Sequence, residues 1–96
     1  MDKKEIIDIL RKYKVEVAQQ YGILDIGVFG SAARDNFGED SDVDVVIRIS
    51  KQELFMLVGI KNELEERLHR PVDIVTYREN MNQYLKKRID TEAVYV

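Results

Sequence analysis

Residues 42 to 49 read Asp-Val-Asp-Val-Val-Ile-Arg-Ile. Side chains of a strand alternate between its two faces. Val43, Val45, Ile47 and Ile49 therefore point one way, and Asp42, Asp44, Val46 and Arg48 the other. The apolar face must be buried against helices, so both aspartates stand on the opposite face. Ten residues upstream of Asp42 lies Gly30-Ser31, at the end of another apolar run, Ile23 to Phe29. A strand that ends in Gly-Ser at a helix N-terminus offers backbone N–H groups to an anion. An anion-binding turn is thus tied by a short tether to paired carboxylates.

The remaining segments supply a scaffold. Residues 2 to 21 predict a helix, with Ile6, Ile9, Leu10, Tyr13, Val17 and Tyr21 on one stripe. Asp2 and Glu5 have the spacing of a capping pair, and Gly22 is a natural stop. Residues 23 to 29 predict a strand with Leu24, Ile26 and Val28 on one face and Asp25, Gly27 and Phe29 on the other. Ser31 is an N-cap candidate for a short helix through Arg34. Residues 35 to 41 are turn-rich and predict a loop in which Glu39 and Asp40 are solvated. After the 42–49 strand, Ser50 and Glu53 form a capping box. It opens a helix to Leu68, with Leu54, Leu57, Val58, Lys61, Leu64 and Leu68 on one side and a Glu63–Arg67 surface pair. Gly59 lies inside that helix. His69 beside Arg70 reads as a surface residue at the helix end. Pro71 opens a third strand, Val72 to Tyr77, at a position where proline is permitted. Residues 78 to 89 return to helix, with Met81, Tyr84, Leu85 and Ile89 on a stripe. Tyr77, Tyr84 and Tyr95 read as packing residues with wet hydroxyls. The tail from Glu92 to Val96 reads as extended and packed on the first helix.

The order α-β-α-β-α-β-α predicts an α/β fold: a short three-stranded mixed sheet with helices on one face and the other face largely open. The 96 residues are expected to form one domain, 1–96. A net charge of −3 argues against a general nucleic-acid binder. The chain contains no cysteine, so disulfides and thiolate metal sites are excluded. It shows no spanning apolar run and no signal-peptide core, so a cytoplasmic location away from membranes is expected.

Asp73 sits in the polar phase of the third strand. If the second and third strands are neighbours, Asp42, Asp44 and Asp73 gather on one face. Such carboxylates repel one another and resist ionisation, which a hard cation among them would relieve. Oxygen-only donors select Mg²⁺ or Mn²⁺ over Zn²⁺, and Mg²⁺ usually shares its coordination with substrate phosphates. With the Gly-Ser turn, the set describes metal-assisted transfer from a nucleoside triphosphate. Each motif alone has a plainer reading: a turn with a cap, or a solvent-facing strand. Strand alternation does not require all three aspartates on one face. P-loop and Rossmann glycine patterns are absent.

Gly30-Ser31, ten residues, then Asp42-x-Asp44 matches the nucleotidyltransferase pattern. With Ala32-Ala33-Arg34, Ser41, and the later Pro71-Val72-Asp73-Ile74-Val75, the chain resembles the minimal nucleotidyltransferases, the MntA-like antitoxins of the DNA polymerase β-like superfamily. The resemblance spans nearly the whole chain. It implies a small nucleotidyltransferase fold in which Gly30, Ser31 and Arg34 bind nucleotide. Asp42, Asp44 and Asp73 would be the catalytic residues, holding two Mg²⁺ ions (Mn²⁺ is the other candidate), with Asp73 helping to deprotonate the acceptor. Arg34 would hold the loop or a phosphate. Asp35 departs from the glycine frequent after that arginine. The resemblance further implies AMP transfer from ATP to a tyrosine hydroxyl of a HEPN-domain toxin. A non-catalytic antitoxin that masks its toxin by contact is the alternative, followed by transfer to a small-molecule or nucleic-acid hydroxyl. Neither the oligomeric state, a homo-oligomer included, nor the nucleotide preference is fixed by these residues.

Overall fold

The structure, a computed structural model, describes residues 2–34, 42–50 and 54–96. The predicted 35–41 loop, with Asp35, Glu39 and Asp40, and positions 51–53 of the capping box lie outside the described residues.

Helix α1 spans Lys3–Tyr21. The Asp2 side chain accepts from the Glu5 amide at 2.9 Å, as the capping pair requires. Gly22 closes the helix at φ 66, a left-handed conformation that a Cβ would strain. Ile6, Leu10, Tyr13 and Val17 are buried along the expected stripe. Strand β1 follows directly, Ile23–Phe29. Strand β2, Val43–Ile49, pairs antiparallel with it. Helix α2, Leu54–Leu68, crosses over to strand β3, Val72–Thr76, which runs parallel to β2. A crossover helix is the usual way to join parallel neighbours. Glu65 on α2 fastens the junction by accepting from the Val72 amide at 2.9 Å. Helix α3, Gln83–Glu92, and a two-residue strand β4, Val94–Tyr95, complete the described chain.

Several expectations change. Among the described residues the sheet has four strands, ordered β3-β2-β1-β4, rather than three. The tail pairs antiparallel with β1, Gly27 opposite Tyr95 and Val28 opposite Val94. It also touches α1, because Lys14 donates to the Val96 carbonyl at 3.0 Å. The helices are not all on one face. α1 and α2 cover Ile26, Val28, Val43, Val45 and Ile47. The second face is not open, because Phe29, Val46 and Val75 give it an apolar centre. Met81 and the α3 residues Leu85 and Ile89 cover that centre.

The phase of β1 also shifts. Ile23 pairs with Ile49 and Asp25 with Arg48, so two steps on β1 match one on β2. Such a bulge moves the outer end of the strand by one face. Ile23 is buried in the core and Leu24 is 51% exposed. On α2 the buried stripe is Ile60, Leu64 and Leu68, while Val58 and Lys61 face solvent. Arg67 pairs with Glu16 of α1 rather than with Glu63. Glu63 instead accepts the hydroxyls of Tyr13 and Tyr21 at 2.6 and 2.8 Å. α3 starts later than predicted, because Asn82 caps it by accepting from the Leu85 amide at 3.0 Å. Tyr84 then points into solvent. His69 is exposed at φ 56, in the left-handed position that follows a helix end. Among the described residues, no helix is long and apolar enough to cross a membrane.

Candidate active site

The site forms where β1 ends and β2 and β3 begin. Phe29 pairs with Asp44 across the antiparallel ladder, and Asp44 pairs with Asp73 across the parallel one. Residues paired in register share a face. Asp44 and Asp73 thus stand side by side on the α3 face, and Asp42 precedes Asp44 in the same alternation. Neighbouring strands of a sheet lie about 4.8 Å apart. The condition that residue 73 be next to β2 is therefore met by the topology.

Gly30 follows Phe29 and turns the chain sharply at φ 69. The turn is a 3₁₀ segment, Gly30–Ala32, in which the Gly30 carbonyl accepts from the Ala33 amide at 3.1 Å. A Cβ on Gly30 would overlap Asp44 Oδ2 and lie 3.7 Å from Arg88 Nη2. Only glycine leaves room here for the carboxylate. Ser31 lies inside the turn rather than at its cap. The residue that precedes the turn is Phe29, which makes no side-chain cap. The Gly30 amide is not open to solvent anions either, since it donates to Glu92 Oε2 at 3.1 Å. Arg34 Nη1 donates to the other oxygen of Glu92 at 3.0 Å.

The carboxylates feel one another. Desolvation raises the Asp44 pKa above the ordinary carboxylate range, and the Asp73 charge raises it further. Arg88 opposes the shift, Asp42 adds to it, and Arg34 opposes it. Asp42 and Asp73 are exposed, while Asp44 is half-buried. Among the described residues, no three acidic, histidine or cysteine side chains are drawn together tightly enough to hold a cation. The Asp44 carboxylate lies against Gly30. As chemistry the donors fit a hard divalent cation: all are oxygens, and they are already mutually repelled.

Two residues of α3 belong to this site, and sequence reasoning missed both. Arg88 stacks over the Phe29 ring at 5.8 Å and lies 3.8 Å from Glu92. Glu92 grips Gly30 and Arg34 across 62 and 58 positions. Their i,i+4 spacing suggests only a surface pair. The packing of α3 against the second sheet face is what brings them here.

The fold and site define a small α/β domain in which paired acidic residues stand next to a glycine bend. The nucleotidyltransferase domain model matches residues 10–96. A Methanocaldococcus jannaschii protein with the provisional name protein adenylyltransferase is 37% identical over 93 residues, 96% of this chain and 95% of that protein. Protein adenylyltransferase MntA of Thermococcus cleftensis is 34% identical over 94 residues, 97% and 94% of the two chains. A solved structure provisionally described as a minimal nucleotidyltransferase superposes with a TM-score of 0.78 at 28% identity, covering 98% of this chain and 95% of that one. A chain of a solved complex, tri-AMPylated Shewanella oneidensis HEPN toxin with MNT antitoxin, superposes with a TM-score of 0.62 at 19% identity, covering 97% of this chain and 66% of that one. The chain belongs to the nucleotidyltransferase domain family. It is an enzyme of that class with the small α/β nucleotidyltransferase fold.

Proposed function

We propose that this chain, acting as one catalytic unit, transfers AMP from ATP to a hydroxyl on a protein partner, as the antitoxin of a HEPN toxin. The register that seats Asp44 beside Asp73, next to the glycine bend, carries this reading. The names of the Thermococcus relative and of the Shewanella complex support the reaction and the acceptor class.

Asp42, Asp44 and Asp73 would hold Mg²⁺ once their side chains turn toward one another; when bound it would supply charge neutralisation at the phosphates and lower the pKa of an oxygen nucleophile. Ser31 and Arg34 bind the triphosphate at the bend. Arg34 offers a fork of N–H donors that matches phosphate oxygens. Asp73 is exposed, so an acceptor carried by another protein can reach it, and it takes the proton of the acceptor hydroxyl. That oxygen attacks the α-phosphorus. The bond from the α-phosphorus to the bridging oxygen breaks, and pyrophosphate leaves. Arg88 lowers the cost of the charge held at Asp44.

The test mixes the protein with its co-expressed HEPN partner, ATP and Mg²⁺ and follows intact mass. AMP increments should appear on the partner and vanish with EDTA, Asp42→Asn or Asp44→Asn. Neutralisation of the partner with no mass gain would replace transfer by masking through contact.

A further inference from the structure

We infer that Glu92 is a positioning residue for nucleotide binding: it fixes Arg34 and the Gly30 bend so that the rest of the Arg34 guanidinium faces the triphosphate. This rests on the nucleotidyl-transfer reading above. Glu92 gives each oxygen a separate task. Oε2 takes the Gly30 amide at 3.1 Å, and Oε1 takes Arg34 Nη1 at 3.0 Å. The bend and the arginine that follows it are thereby held to one rigid point.

That point is itself well anchored. Glu92 is the last residue of α3, and β4 begins two residues later. The Ala93 amide donates back to the Ile89 carbonyl at 2.9 Å, and Ile89 is buried on the second sheet face. The backbone that carries the Glu92 side chain is thus tied to that packing.

Exposure and the donors left over on Arg34 favour a support over a plug. The Glu92 side chain is 23% exposed and that of Arg34 is 48% exposed. The acceptor is enclosed and the donor is open. An arginine carries five N–H donors in a fixed fork, and the contact with Glu92 uses one of its nitrogens. Arg88 Nη2 lies 3.8 Å from Glu92 Oε2, so one carboxylate stands between two guanidinium groups. Asp44, Asp42 and Asp73 lie near the same two arginines, so a triphosphate would arrive here together with its cation, with Arg34 as its nearest fork of donors. An arginine held in its binding pose in advance loses less freedom when phosphate binds.

The experiment measures Mg-ATP affinity calorimetrically for the wild type, Glu92→Gln, Arg34→Ala and the double variant, with melting temperatures in parallel. Glutamine still offers an oxygen to the Gly30 amide but carries no charge for Arg34. Glu92→Gln should weaken ATP binding about tenfold, equivalent to about 1.4 kcal/mol. Arg34→Ala should lose at least as much. The double variant should be no weaker than Arg34→Ala alone, the mark of two residues acting through one contact. If Glu92→Gln does not fold, Glu92→Asp replaces it in the same cycle, since the shorter side chain cannot span both partners.

An affinity within twofold of wild type, even with a lowered melting temperature, overturns the proposal and leaves Glu92 a structural tie. Additive losses in the double variant also overturn it. So does tighter binding by Glu92→Gln, which would make Glu92 a competitor for the phosphate seat. Wild-type protein that binds no ATP removes the nucleotidyl-transfer reading itself. That outcome differs from a wild type that binds ATP and a Glu92→Gln that binds it equally well.

Discussion

Two glycines in this chain predict opposite responses to the same substitution. Gly30 sits at φ 69, and a Cβ placed there overlaps the Asp44 carboxylate. A left-handed conformation costs an ordinary residue about 1–2 kcal/mol. Pushing the Asp44 side chain off its rotamer adds about 0.5–1.5 kcal/mol. Gly30→Ala should therefore destabilise the fold by about 2–3 kcal/mol. For a domain of this size each kcal/mol moves the melting temperature by roughly 4–8 °C. The expected drop is about 10–20 °C. Gly59 lies within α2, and nothing comes within 4 Å of a Cβ built there. Alanine is favoured over glycine inside a helix by about 1 kcal/mol, so Gly59→Ala should raise the melting temperature by roughly 4–8 °C. Differential scanning fluorimetry on both variants without nucleotide suffices. A Gly30→Ala protein that melts with the wild type refutes the claim that the bend and Asp44 share one space. Movement of both variants in the same direction would refute the local argument as a whole.

Further predictions concern charge and hydrogen bonding. Burial, followed by the Asp73 charge, raises the Asp44 pKa in the folded state. A group with a raised folded pKa stabilises fully below its unfolded value and loses that contribution as pH rises through the folded value. At pH 7 the ionised Asp44 works against the fold, so without divalent cation Asp44→Asn should melt higher than wild type. That gap should close on acidification to about pH 4, and an advantage that persists there contradicts the assignment. Mg²⁺ with ATP should raise the wild-type melting temperature and leave Asp44→Asn unmoved, because only a ligand of the native state stabilises it. Glu63 accepts from both Tyr13 and Tyr21, and burial pushes the Tyr13 hydroxyl far above its ordinary pKa, keeping it a donor. Tyr13→Phe should cost about 1.5–3 kcal/mol in urea unfolding, as for a hydrogen bond to a charged group. A loss below about 0.5 kcal/mol would leave that network without energetic weight.

Much of this fold is legible from periodicity. The α1 stripe and its caps, the limits of β1 and the alternation of β2 all follow from residue spacing. So does the placement of Asp73 one strand from Asp44, once α2 is seen as the crossover. What escapes is tertiary. The bulge at Leu24 leaves no mark in the seven residues of β1, yet it decides which side chain is buried. Val46 and Val75 look like strays in a polar phase until α3 is seen to cover them. Leu57 and Val58 are adjacent apolar residues on α2, and only packing decides that Ile60 is buried and Val58 is not. Arg88 and Glu92 escape for the same reason. No local pattern ties a carboxylate on a helix to an amide 62 positions earlier.

The edge strand β4 has a consequence for how the molecule breathes. Among the described residues its outer side has no neighbouring strand, and margins of a sheet open before its centre. The Val96 amide, bonded to the Ile26 carbonyl at 2.9 Å, is a gauge of that opening. Glu92 sits just ahead of the same strand, so fraying at the margin loosens the corner that steadies Arg34. Occupancy of the nucleotide seat should accordingly slow deuterium uptake at Val96, a position that no substrate atom needs to touch.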